Sequence, residues 1–211
     1  MRKLLFLIPA ITILWSCSGD NTSKNTSTNP NTGDETTTQP KGKYDIKSGI
    51  VVYKTNMMGM DVTQTNYFDN YGANEAQETE MDVMGTKIHS ITIHKKSTTY
   101  TIDLVKRTGT KVTTNNDPSG VPDFKNISEE LKKDMNLKIE GNEEFLGKNC
   151  EKITMDYTQM QMKGSFLVYK GVALKANMQI GTLPVDLVAV QFTENASIPA
   201  GKFDIPDDIK F

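Results

Sequence analysis

The stretch Gly164–Met178 reads GSFLVYKGVALKANM: two apolar runs joined at Lys170-Gly171. In the second run Val172, Leu174, Ala176 and Met178 alternate with Ala173, Lys175 and Asn177, and the pattern continues to Ile180. Side chains along an extended strand point alternately to two faces, so a period of two marks a half-buried strand. Gly171 supplies the reversal between the runs. The stretch therefore predicts a β-hairpin.

The same rhythm extends in both directions. Val185, Leu187 and Ala189 alternate with Asp186, Val188 and Val190, and Tyr100, Ile102 and Leu104 alternate with Thr101, Asp103 and Val105. Asp69-Asn70-Tyr71-Gly72 has the Asp-first, Gly-last form of a type I turn. Gly59, Gly85, Gly147 and Gly164 are expected to mark further reversals. The spacing predicts about ten strands in an antiparallel meander. One segment breaks the pattern. NISEELKKDM, residues 126–135, places Ile127, Leu131 and Met135 at helical spacing. It predicts a short amphipathic helix, capped by Asn126 with Glu129 as its capping-box partner. The fold class is mainly β, with an antiparallel sheet and at least one short helix. A large sheet must cover its apolar face, and curling into a barrel or half-barrel is one solution.

Upstream of Lys43 the chemistry is different. Arg2 and Lys3 precede an apolar run, Leu4 to Leu14, of signal-peptide length. Residues 18–42 contain 14 Ser, Thr or Asn among 25 positions and no large apolar side chain. Such a tract cannot bury enough surface to offset its ordering entropy, so a flexible tether is expected. Between them, Leu14, Ser16 and Cys17 resemble the lipobox of bacterial lipoproteins, although Trp15 departs from the pattern. The resemblance implies cleavage before Cys17 and acylation of that residue with diacylglycerol and palmitate-type chains. The alternative is an ordinary secretory peptide cut near Ser16. The expected organisation is a signal peptide at 1–16, a lipidated Cys17 with tether at 17–42, and a folded domain at 43–211. Lipidation implies a protein of the cell envelope. Ser18 stands where an Asp would resemble an inner-membrane retention signal, which favours the outer membrane, on its periplasmic or its surface side.

The C-terminal half carries a second resemblance. "EEFLGKNCEKITMDY", then "GSFLVYKGVALKANM", then "VQFTENASIPAGKFDIPDDIKF" follow in an order similar to the lipoprotein-carrier (LolA/LolB-like) superfamily. They resemble more closely a domain family of unknown function in Bacteroidetes lipoproteins. The resemblance implies a curved antiparallel sheet forming a half-barrel, with a helix packed on its concave side around an apolar cavity for lipid or acyl chains.

Composition and motifs narrow the chemistry. The chain has 24 Lys+Arg against 26 Asp+Glu, which does not suit a nucleic-acid binder. It has no GxSxG, HExxH, P-loop or Rossmann fingerprint, so no enzyme and no cofactor is expected. His89 and His94 are five apart and face opposite sides of a strand. Glu78, Glu80 and Asp82 share a strand face that could bind a cation but reads as a solvated outer face. Cys150 reads as a buried structural thiol.

Methionine is the unusual component: beyond Met1 there are ten, all after Lys43. Flexible thioethers suit an adaptable apolar cavity. Met58, Met60, Met155 and Met178, with Leu131, Met135 and Leu174, are the expected cavity residues. The leading expectation is a non-enzymatic, membrane-anchored lipoprotein binding a lipid or acyl chain in that cavity. A structural or protein-interaction module of the envelope without ligand is the second. The third is Cu(I) binding through Met58-x-Met60 and Met160-x-Met162, although no metal site is assigned.

Overall fold

The computed structural model describes residues 42–57, 60–95, 97–113 and 122–211, with the backbone alone at 56, 57, 60 and 61. The described residues form eleven strands: β1 Gly49–Met57, β2 Met60–Asp69, β3 Asn74–Val83, β4 Thr86–Lys95, β5 Thr98–Asp103, β6 Thr108–Thr113, β7 Lys138–Phe145, β8 Lys148–Tyr157, β9 Met162–Tyr169, β10 Val172–Ile180 and β11 Leu183–Glu194. Among the described residues one α-helix, α1 Glu129–Asp134, stands before β7. The strands form one sheet in the order β6-β5-β4-β3-β2-β1-β11-β10-β9-β8-β7. Two antiparallel meanders, β1–β6 and β7–β11, meet where β1 pairs with β11. The hairpin at Lys170-Gly171 is present as predicted, with Tyr169 opposite Val172.

The half-barrel expectation is corrected. β6 and β7, which closure would bring together, are the two margins of an open sheet that is neither closed nor strongly curled. The physical reason lies in how the apolar patches are covered. A sheet whose apolar patches are covered by other segments need not close on itself to bury them. Here three non-strand segments supply the cover.

Tyr44 and Ile46, before β1, pack with Val51, Tyr53, Phe68, Leu167 and Leu174 over the middle of the sheet. Phe124, Leu131, Met135 and Leu137, around α1, pack with Ile153, Met155, Phe166 and Val168 over β8–β10. Phe203, Ile205 and Ile209, in the C-terminal tail, pack with Ala76, Ile91, Ile93 and Ile102 over β3–β5. Adjacent residues on a strand point to opposite faces. Leu167 and Phe166 therefore place the first two clusters on opposite sides of β9, and Phe68 and Tyr67 place the first and third on opposite sides of β2. A register shift between Ala173 and Lys175 lets Val172, Ala173 and Leu174 all be buried.

Several local expectations change. The cap of α1 is Ser128, whose Oγ accepts from the Leu131 N–H at 3.2 Å, while the Asn126 side chain donates to Asp123 Oδ2 at 2.8 Å instead. The reversal at 69–72 is where predicted, but Asn70 and Tyr71 have φ of 50° and 58°, so it is left-handed and not type I. Gly164 is no turn. It lies inside β9, where a Cβ would stand 2.4 Å from the Asn177 carbonyl of β10.

Candidate functional site

The expected cavity residues separate into groups. Met135, Met155, Met178 and Leu131 do come together, under α1. There Met135 and Met155 are buried against Ile153, Phe166 and Val168, and the Met135 carbonyl accepts from the Asp156 N–H at 2.8 Å. Leu174 is fully buried in a different cluster, with Tyr44 and Val51. Met60 pairs with Met57 in the β1–β2 hairpin, whereas Met58 and Cys17 lie outside the described residues.

A Met-rich buried cavity is not seen among the described residues, because these side chains pack as core. Beside Met155 and Met178 lies an open depression of about 720 Å³, lined also by Asp156, Lys163, Asn177 and Asp186. Cys150 is fully buried, as expected, and burial pushes its thiol pKa up, which makes it a poor nucleophile.

The most organised polar constellation is one that sequence spacing did not bring together. Glu78 on β3 points to the face covered by the C-terminal tail. Its Oε1 accepts from His89 Nε2 of β4 at 2.7 Å. Its Oε2 accepts from the Tyr67 hydroxyl of β2 at 3.0 Å and from Lys202 Nζ of the tail at 2.5 Å. Lys202 also lies 4.7 Å from the centre of the Tyr67 ring. Glu80 is directly opposite His89 in register, with its Oε1 3.6 Å from Nε2. Glu78 is thus taken from the solvated face on which the sequence placed it, while Glu80 stays exposed.

The electrostatics describe a clasp. Burial pushes the Glu78 pKa up, but the hydrogen bonds from Lys202, His89 and Tyr67 outweigh it, and the carboxyl is held below its ordinary value. Burial pulls Lys202 down and Glu78 more than restores it, so its pKa is raised. A carboxylate that already accepts three donors and has a lowered pKa is a weak general base. Ligand atoms of Glu78, Glu80 and His89 lie within 4.8 Å of one another, as metal ligands would. The ammonium of Lys202 already supplies the positive charge that Glu78 needs, so the set reads as an ion-pair network. His94 does not join it and contacts the Thr99 hydroxyl at 3.2 Å.

A second polar group pins the other end of the tail. Lys210 bridges β6 beside Thr108, its N–H donating to the Arg107 carbonyl at 3.2 Å and its carbonyl accepting from Gly109 N–H at 2.9 Å. Arg107 pairs with Asp208. Phe211 stands edge-on to Tyr100 with 5.8 Å between ring centres.

A third group ties the N-terminal strap: Lys43 pairs with Glu75 at 2.8 Å and the Tyr44 hydroxyl donates to Glu75 at 2.5 Å. Below the strap, the buried Tyr53 hydroxyl donates to the Ala173 carbonyl at 2.7 Å, and burial raises its pKa. The sequence offered one signal for the clasp. Glu80 and His89 fall opposite each other once the hairpin at Met84-Gly85 is drawn. Nothing in spacing pointed to Lys202.

No protein-family model matches the chain, and no curated protein matches it. Among solved structures, an uncharacterized conserved protein from Thermus thermophilus has the same fold at 11% identity. The match covers 78% of this chain and 88% of that one, with a TM-score of 0.51. Two weaker likenesses have TM-scores below 0.5. One is to the MucA/MucB complex of Pseudomonas aeruginosa, at 11% identity and a TM-score of 0.46, covering 76% of this chain and 56% of that one. The chain thus spans little more than half of that structure. The other is to an outer membrane lipoprotein-sorting protein domain from Vibrio parahaemolyticus, at 8% identity and a TM-score of 0.36, covering 79% and 92%.

Proposed function

We propose that this chain is a lipid-anchored protein of the cell envelope, held at the outer membrane through Cys17, and that its β-sheet domain is a non-enzymatic interaction module that works at its surface. One observation carries the second half of this reading. The Met135 and Met155 side chains, expected to line a ligand cavity, are packed against Ile153, Phe166 and Val168 as core. The apolar surface that a carrier would keep for a ligand is covered by the chain's own segments.

The anchor rests on the Leu14-Trp15-Ser16-Cys17 motif, and labelled palmitate tests it directly. The label should enter the native chain and be lost in Cys17→Ala. Native mass spectrometry of the protein purified from cells tests the surface reading. The expected result is a polypeptide free of non-covalent ligand. A stoichiometric lipid that survives purification would return the domain to the acyl-chain carriers.

A further inference from the structure

We propose that the C-terminal tail, residues 202–211, is a detachable strap, and that the groove beneath it also accepts the same segment from a second copy of this chain. This deepens the surface-interaction reading by naming the partner. The groove has three parts. At one end Glu78 accepts from Lys202 at 2.5 Å. In the middle Ile93 and Ile102 form an apolar floor under Phe203, Ile205 and Ile209. At the other end the margin strand β6 pairs with Lys210 through a single parallel bridge.

The tail binds this groove as a peptide would. It is not a strand of the sheet. Its main chain meets the sheet through the two hydrogen bonds of Lys210 with Arg107 and Gly109. The rest is side-chain anchoring: Lys202 on Glu78, Asp208 on Arg107, Asp204 4.0 Å from Lys95, Phe211 edge-on to Tyr100, and three apolar residues on the floor. Segments held by few backbone hydrogen bonds open at a small fraction of the global unfolding cost.

The join to the body has the form of a hinge. The last tie before the tail is made by Asn195 and Ala196, both bonded to Ser48. Residues 197–201 then cross with no strand pairing, mostly exposed, ending at Gly201 with φ of 80°. A tail from a second copy would make the same contacts, so exchange costs only the difference in effective concentration. Tethering of two copies to one membrane surface reduces that difference. Complementarity to the groove is already built into residues 202–211, which is why a second copy is the occupant.

Two measurements test this on the full chain in detergent. In the first, a fluorescent peptide of residues 202–211 is titrated in and its anisotropy followed. Saturable binding is expected, and a peptide carrying Lys202→Ala should bind about tenfold more weakly, because the chain's own tail, with which it competes, keeps its lysine on Glu78. No saturable binding, or binding indifferent to Lys202→Ala in the peptide, overturns the detachable strap. In the second, deletion of Pro199–Gly201 shortens the hinge so that the tail no longer reaches its own groove. Light scattering should then report a dimer, and adding Ile209→Ser should return it to monomer. A hinge-shortened chain that stays monomeric, or a dimer indifferent to Ile209→Ser, overturns the second copy as occupant. Neither result bears on the ligand-free mass expected above, so the two readings fail separately.

Discussion

The β8–β10 half and the β3–β5 half of one sheet solve the same problem in different ways. Each has an apolar patch on one face. The first is covered by α1 and its flanks, where Met135 is fully buried and the contact is almost wholly apolar. The second is covered by an extended tail, where Phe203, Ile205 and Ile209 are only partly buried and an ion-pair clasp at Glu78 adds to their packing. The apolar cover gains from area removed from water and is insensitive to charge. The clasped cover depends on protonation state and on one lysine. The same sheet thus has a fixed half and a half that can be released.

The largest test of this contrast is Met135→Ala. Truncating a fully buried Met under α1 should cost about 2–5 kcal/mol, read as a lower denaturation midpoint. If the loss is within a few tenths of a kcal/mol, α1 is not the fixed cover. Glu78→Gln should act on the other half. It removes the charge that Lys202 and His89 face, and about 1–2 kcal/mol is expected because the pair is partly solvated. Amide exchange should rise in residues 203–211 and stay unchanged in β8–β10. Equal effects in both halves would erase the contrast.

Ser128→Ala comes next. Losing the cap at the Leu131 N–H should cost about 1 kcal/mol and fray α1 while the tail keeps its protection.

Acid gives the smallest and most selective effect. The folded pKa of Glu78 is lowered, so its contribution is fully present above the unfolded value of about 4.3 and is lost as pH falls through the lower folded value. The tail should therefore loosen in acid before the α1 half does, as followed by amide exchange. Simultaneous loosening of both halves would show that the clasp does not hold the tail.

Legibility in the sequence followed the range of the interactions involved. The hairpin at Lys170-Gly171 was readable because alternation and turn chemistry are local. The helix was readable from Leu131 and Met135. Its cap was misplaced by two residues, since Asn126 and Ser128 are both good caps and only the Asn126 contact to Asp123 decides between them. The Met-rich cavity failed for a different reason. Met is equally at home as core filler and as cavity lining, and the sequence does not say whether neighbouring atoms fill the space. The Glu78 site was half readable: register gives Glu80 opposite His89, but Lys202 is 124 residues from Glu78.

By itself the sequence determined an antiparallel, strand-rich domain and one short helix. Those follow from periodicity, turn residues and composition, which act over a few positions. The tertiary structure decided that the sheet stays open, that Met135 and Met155 are core, and that Glu78 meets Lys202. Those outcomes depend on which distant segment covers which face. Many segments of similar hydrophobicity could do so, and only the packed chain selects among them.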